Sequence, residues 1–177
     1  MCQKLLADAR DGSSFSGMQV TTRAILEMNA PPEVVFDAAA MDYAGFAGVF
    51  PGYGLIPRID QITLEAGDEL REGSVRLIHN GDGSVLRERV DVLKRPEAHA
   101  YNLHGFVFPF SLLVREAVGA WSFHARGTGT HVVWNYQFVL TSPLAWPLAA
   151  PIIKIFFRGA MARCLGLVKA RVEGSAA

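Results

Sequence analysis

Residues 121–138 read WSFHARGTGTHVVWNYQF, two apolar, aromatic-rich runs on either side of Gly-Thr-Gly-Thr. Such runs separated by a short glycine-containing turn read as a β-hairpin. In the second run Thr130, Val132, Trp134, Tyr136 and Phe138 alternate with His131, Val133, Asn135, Gln137 and Val139. Successive strand side chains point to opposite faces, so one face of the hairpin gathers the rings. A face this bulky either fills a solid core or lines a pocket.

The same alternation extends towards the N-terminus. From residue 56 to about 141 the chain is nearly all strand-like: IPRIDQITLE, then GSVRLIHNGDGSVLRERVDVL, then AHAYNLHG, then the hairpin. NGDG at 80–83 marks a tight turn between two alternating runs. MQVTTRAILEMN (18–29) reads as a first strand. APPEVVFDAAA (30–40) follows, with prolines where a helix starts. DYAGFAGVF reads as a second short helix, ended by PGYG. After Thr141 the period changes from two to helical, with Ile153, Phe156, Phe157, Ala160, Met161, Cys164, Leu167, Val168 and Val172 on one side. This final helix starts either behind a Ser142 cap and Pro143 or at Pro151. The plan is α+β: a strand, two short helices, an antiparallel meander and a long helix able to cover the sheet's apolar face.

Composition narrows the function. The chain has 177 residues, 50% hydrophobic and 19% charged, with 17 basic and 17 acidic side chains. Balanced charge offers no electrostatic case for nucleic-acid binding. Residues 1–17 read as a flexible lead-in and 18–177 as one domain. Cys2 and Cys164 lie near opposite ends, which suggests neither a zinc site nor a disulfide framework, so a reducing, cytoplasmic setting is expected. PLAWPLAAPIIKIFF (143–157) is too short, and too interrupted by prolines and Lys154, to span a bilayer. The five histidines (His79, His99, His104, His124 and His131) lie along strand ends and turns and make no compact metal set. They read as structural or exposed. No metal or other cofactor is expected.

The order APPEVVFDAAA, GSVRLIHNGDGSVLRERVDVL, AYNLHG and GTGTHVVWNYQF before a terminal helix resembles the START/birch-pollen-allergen-like (SRPBCC) superfamily, in its polyketide cyclase/dehydrase-like branch. The resemblance covers about residues 18 to 173. It implies a helix-grip fold, in which a curved antiparallel sheet wraps a long C-terminal helix around a hydrophobic cavity. Members bind lipids, sterols, hormones, polyketides or quinones, and a minority are enzymes.

Strand parity then proposes a lining. Leu86, Glu88, Val90 and Val92 share the inward face of their strand, which places Glu88 in an apolar row. Tyr101 and Leu103, Trp121 and Phe123, and Trp134 and Tyr136 point inward, with Phe156 and Phe157 facing them from the helix. Ser74 to Ile78 is ambiguous by parity. The resemblance favours Arg76 inward, because plant hormone receptors of the superfamily place an Arg and a Glu at matching points of this hairpin. An Arg76–Glu88 pair could satisfy itself structurally, orient a ligand's polar head, or supply Glu88 as an acid/base. FVFPF (106–110) holds three rings in a loop, and the resemblance implies that this loop flanks the cavity mouth, so Phe108 and Phe110 read as a gate facing a lip of Phe46, Phe50 and Tyr53. Lys154, Arg158, Arg163, Lys169 and Arg171 make the final helix basic, either as a solvated face or for transient membrane contact. Binding or carriage of a hydrophobic small molecule is the favoured function. A cyclase/dehydratase using Glu88 with Arg76 or Tyr101 is the alternative, and an accessory protein acting through its surface is the third reading.

Overall fold

Alternating sequence becomes strand wherever a paired neighbour can take one face. The computed structural model describes residues 18–174; the 1–17 lead-in lies outside them. Seven strands form one antiparallel sheet: β1 (Gln19–Met28), β2 (Ile59–Leu64), β3 (Val75–Asn80), β4 (Val85–Lys94), β5 (Ala98–His104), β6 (Val114–Arg126) and β7 (Gly129–Leu140). Their order is β1-β7-β6-β5-β4-β3-β2. The strands β2 to β7 form a plain meander. Strand β1 instead pairs along its whole length with β7, from Gln19↔Val139 to Met28↔Thr130. The β6–β7 hairpin turns at Gly127, whose φ of 60° lies where an L side chain is strained.

Between β1 and β2 the chain forms α1 (Pro32–Phe36), a π-helical turn (Asp37–Met41) and α2 (Tyr43–Ala47). Pro32 opens α1 in the first turn, where its missing N–H costs nothing. The C-terminal helix comprises α3 (Trp146–Pro151), a π-helical turn (Ile152–Phe157) and α4 (Arg158–Gly174). Its start differs from both sequence expectations. Ser142 makes no side-chain cap and precedes a 3-10 turn, while Pro151 sits inside the helix rather than opening it. The buried stripe also differs at one position. Ile153, Ala160, Met161, Cys164, Leu165, Val168 and Val172 are buried, whereas Leu167, expected inward, is exposed.

The helix and α1 cover the concave face of the sheet, and one large apolar cluster joins them. This is the helix-grip architecture. A second correction arises in β4. The register with β5 runs Val90↔Tyr101 and then Val92↔Ala100, so Asp91 is an extra residue in a bulge. Val90 stays on the concave side. Val92, expected beside it, clusters with Ala98, Ala100, Val118 and Ala120 on the opposite face. Among the described residues, no helix is long and apolar enough to cross a membrane.

Candidate ligand cavity

The concave face is not packed solidly against the helix. Between them lies a cavity of about 420 Å³, within the roughly 300–1,000 Å³ common for small-molecule sites. Its floor is aromatic. Trp121 and Trp134 face each other across the β6–β7 register and stack with centroids 4.1 Å apart. Phe46 from α2 meets both indoles edge-on at 6.1 and 6.4 Å. Phe157 closes the helix side, 4.6 Å from the Tyr136 ring and 4.9 Å from Phe138.

Three polar side chains gather around the Tyr101 hydroxyl. Trp121 Nε1 donates to it at 3.3 Å, Trp134 Nε1 donates at 3.1 Å, and the Tyr136 hydroxyl lies 3.0 Å away. An indole N–H only donates, and a hydroxyl oxygen has two lone pairs. The two indoles therefore fill the Tyr101 oxygen. One proton bridges the two hydroxyls. With both lone pairs taken, the Tyr101 hydroxyl is the donor across that bridge, and the Tyr136 proton is left with no acceptor among the described residues. Both tyrosines line the cavity, and burial pushes both phenols well above their ordinary pKa, so they keep their protons.

The Tyr101 ring reaches this node because Gly119 lies opposite it in the register. A Cβ built on Gly119 would overlap the ring. Gly119→Ala should therefore displace Tyr101 and cost roughly 1–3 kcal/mol, as overpacking does. Thermal unfolding checks this, and an unchanged melting temperature would show that the ring has room to move.

Beside the node, β3 and β4 place Arg76 opposite Glu88. Both are buried. Arg76 Nε donates to Glu88 Oε1 at 2.6 Å, and a terminal guanidinium nitrogen pairs with the same oxygen. The guanidinium also donates to His99 Nε2 at 3.1 Å and, at 3.4 Å, to the Ala40 carbonyl in the first π-helical turn. Since guanidinium only donates, His99 Nε2 must accept. The imidazole proton then sits on Nδ1, directed at the Val92 carbonyl 3.1 Å away. Burial, with Arg76 adding to it, holds the His99 pKa down to about 3, so the ring is neutral. Burial pushes the Glu88 carboxyl above its ordinary value, and Arg76 pulls against that shift.

Of the residues singled out from sequence, Arg76, Glu88, Tyr101, Leu103, Phe108, Phe110, Trp121, Trp134, Tyr136 and Phe157 line the cavity. Phe123 and Phe156 do not. Phe123 stacks behind Trp121 and meets Phe36 of α1 edge-on, which closes that end of the floor. Phe156 cannot share an aspect with its neighbour Phe157, because adjacent helical residues point about 100° apart. It turns out to Tyr53, which likewise leaves the lip, while Phe46 and Phe50 remain in the lining. His99 was not singled out. Its parity with Tyr101 and Leu103 on β5 was the available signal. The turn residues Asn80, Asp82 and Ser84, and Ile152 from the π-helical turn, also reach the cavity.

A sheet and helix arranged in this way have parallels in fold among known proteins. The family model described as polyketide cyclase / dehydrase and lipid transport matches residues 18–173. The chain belongs to this family. No curated protein matches the chain by sequence. Among solved structures, an aromatase/cyclase from a Streptomyces species is 18% identical, with 88% of this chain and 96% of that one covered and a TM-score of 0.65. Norcoclaurine synthase from Thalictrum flavum, in a truncated form, is 12% identical over 90% and 97% of the two chains, with a TM-score of 0.66. The di-domain aromatase/cyclase StfQ of the steffimycin pathway is 15% identical, at a TM-score of 0.69. There the match takes 97% of this chain but 54% of StfQ. At these identities the likeness concerns the fold. Family membership adds hydrophobic ligand binding or polyketide cyclisation as the functional range.

Proposed function

We propose that the protein binds and carries a largely apolar small molecule in the cavity, held by the aromatic floor and by one hydrogen bond from the Tyr101–Tyr136 node. The supporting observation is the surplus hydroxyl proton of the node, whose two tyrosines line a mainly apolar cavity of about 420 Å³. A buried donor without a partner is costly, so a ligand offering an acceptor there gains over one that does not. The Arg76–Glu88–His99 cluster is read as an internally satisfied support beside this donor, since Glu88 Oε1 and His99 Nε2 are both engaged by Arg76. The FVFPF loop is read as the gate, since Phe106 to Phe110 all border the cavity.

Methyl naphthyl ketone and isopropenylnaphthalene test this, because they match in shape and differ in one acceptor oxygen. The ketone should bind about three- to tenfold more tightly by calorimetry or competition, the range expected for one net hydrogen bond. Its carbonyl stretch should move to lower frequency on binding. Equal affinities with an unshifted carbonyl would remove the hydrogen bond and leave the cavity reading standing. Failure of both probes to bind would remove the cavity reading itself.

A cyclase/dehydratase is the second reading. It draws on the raised pKa of Glu88, a proton carrier's property in a dry site. Its requirement is that Glu88 leave Arg76 during turnover. Substitutions at Arg76 and Glu88 separate the two readings.

A further inference from the structure

The cavity mouth is surrounded by apolar side chains that the fold leaves in water. Phe108, Leu55, Leu112, Leu144, Leu148 and Ile155 are each more than half exposed, with Leu144 at 89%. They lie on the segments that border the mouth or directly adjoin those segments in the chain. Thr141 ties the start of the C-terminal segment to the gate loop, with its amide donating to the Leu113 carbonyl and its hydroxyl to the Leu112 carbonyl. Leu144, Leu148 and Ile152 recur every four residues on one helical aspect, and Ile152 lines the cavity. Leu55 and Phe108 also border it. Large apolar side chains left exposed around one cavity mouth mark an interaction site.

Charge selects the partner. Between Glu116 and Glu173 the sequence has no acidic residue, yet it carries Arg126, Lys154, Arg158, Arg163, Lys169 and Arg171. Several of these are engaged. Arg163 lies over the Tyr53 ring at 4.5 Å, Lys169 donates to the Glu27 carbonyl, and Arg171 pairs with Asp42. Lys154 and Arg158 are exposed and form no ion pair with a described residue. They flank the apolar rim on the same helix. Apolar side chains bordered by free cations match an anionic lipid surface, where rings and leucines enter the acyl boundary and cations meet headgroups. A second copy of the chain is a poorer partner, because two-fold pairing brings the same patch, and its cations, face to face.

We infer that this rim docks reversibly on an anionic bilayer, so that the mouth opens into the apolar layer and the ligand moves between membrane and cavity without crossing water. The role of the docking rests on the cavity reading above, but the docking itself can be tested apart from it. The probe is sedimentation of the full chain with vesicles of phosphatidylcholine alone or mixed with phosphatidylglycerol. Binding is expected to the mixed vesicles, weakened by salt, and about fivefold weaker for each of Lys154→Gln and Arg158→Gln. The doubly substituted Leu148→Ser/Ile155→Ser chain should lose binding at least about tenfold, since two aliphatic side chains that would enter the acyl layer go, while its melting temperature and naphthyl ketone affinity stay unchanged. Absence of wild-type binding to the mixed vesicles overturns the inference. So does binding that ignores both sets of substitutions, or a concentration-dependent dimer that Leu148→Ser/Ile155→Ser abolishes in place of vesicle binding. A chain that takes the ketone yet ignores vesicles defeats the docking alone. One that binds vesicles but neither naphthyl probe defeats the cavity reading alone.

Discussion

Arg76→Met and Glu88→Gln should each lower folding stability by about 3–5 kcal/mol, because each leaves one buried group of a charged pair without its partner. The pair is more than a contact between two side chains. Arg76 also serves His99 Nε2 and the Ala40 carbonyl, so Arg76→Met removes donors from three acceptors at once. Glu88→Gln keeps the shape but leaves a guanidinium buried with reduced compensation. The double substitution should cost less than the sum of the single ones, with a coupling of about 2 kcal/mol or more in a denaturant-unfolding cycle. Additive effects would show that Arg76 and Glu88 are not a unit in solution.

The same variants separate carriage from catalysis. With a supporting pair, Glu88→Gln weakens ketone binding in step with stability, because the neighbouring floor loosens. With Glu88 as a working acid/base, the substitution spares product binding and abolishes turnover of a polyketide-like substrate.

Trp134→Ala should cost about 3–5 kcal/mol, the range for deleting a fully buried large ring. The ring is 1% exposed, stacks on Trp121 and meets Phe46 and Phe50 edge-on. Removing it also frees one lone pair of the Tyr101 hydroxyl and enlarges the cavity, so preference for the ketone over the alkene should diminish. Phe108→Ala is the contrasting case. That ring is 77% exposed, and its loss should change stability by no more than about 0.5 kcal/mol. It should instead speed release of the bound naphthyl ketone, measured by stopped-flow displacement. A Phe108→Ala loss as large as that of Trp134→Ala would place the gate ring in the core.

Much of this fold is written in local pattern. The alternation through WSFHARGTGTHVVWNYQF sets one face of β6 and β7, and its replacement by helical spacing after Thr141 sets the cover. Those two periods, with the prolines at 31 and 32 and the turns at 80–83 and 127–129, follow from backbone geometry and side-chain direction within a few residues. They were enough to place Tyr101, Trp121, Trp134 and Tyr136 on one concave surface. Other features depend on which distant segments meet. The Val90/Val92 bulge arises from the fit of β4 to β5, and it reverses a parity that sequence alone carries straight through. Phe156 meets Tyr53 while its neighbour Phe157 faces the cavity, and Leu165 rather than Leu167 is buried in α4. Burial keeps His99 neutral, and its Nε2 becomes an acceptor because Arg76, 23 residues away, reaches it. The surplus proton of the tyrosine node likewise exists only because two indoles from separate strands converge on one oxygen. Periodicity fixes the face a side chain takes; hydrogen-bond supply and demand are fixed by non-local neighbours, and only the tertiary structure brings those together.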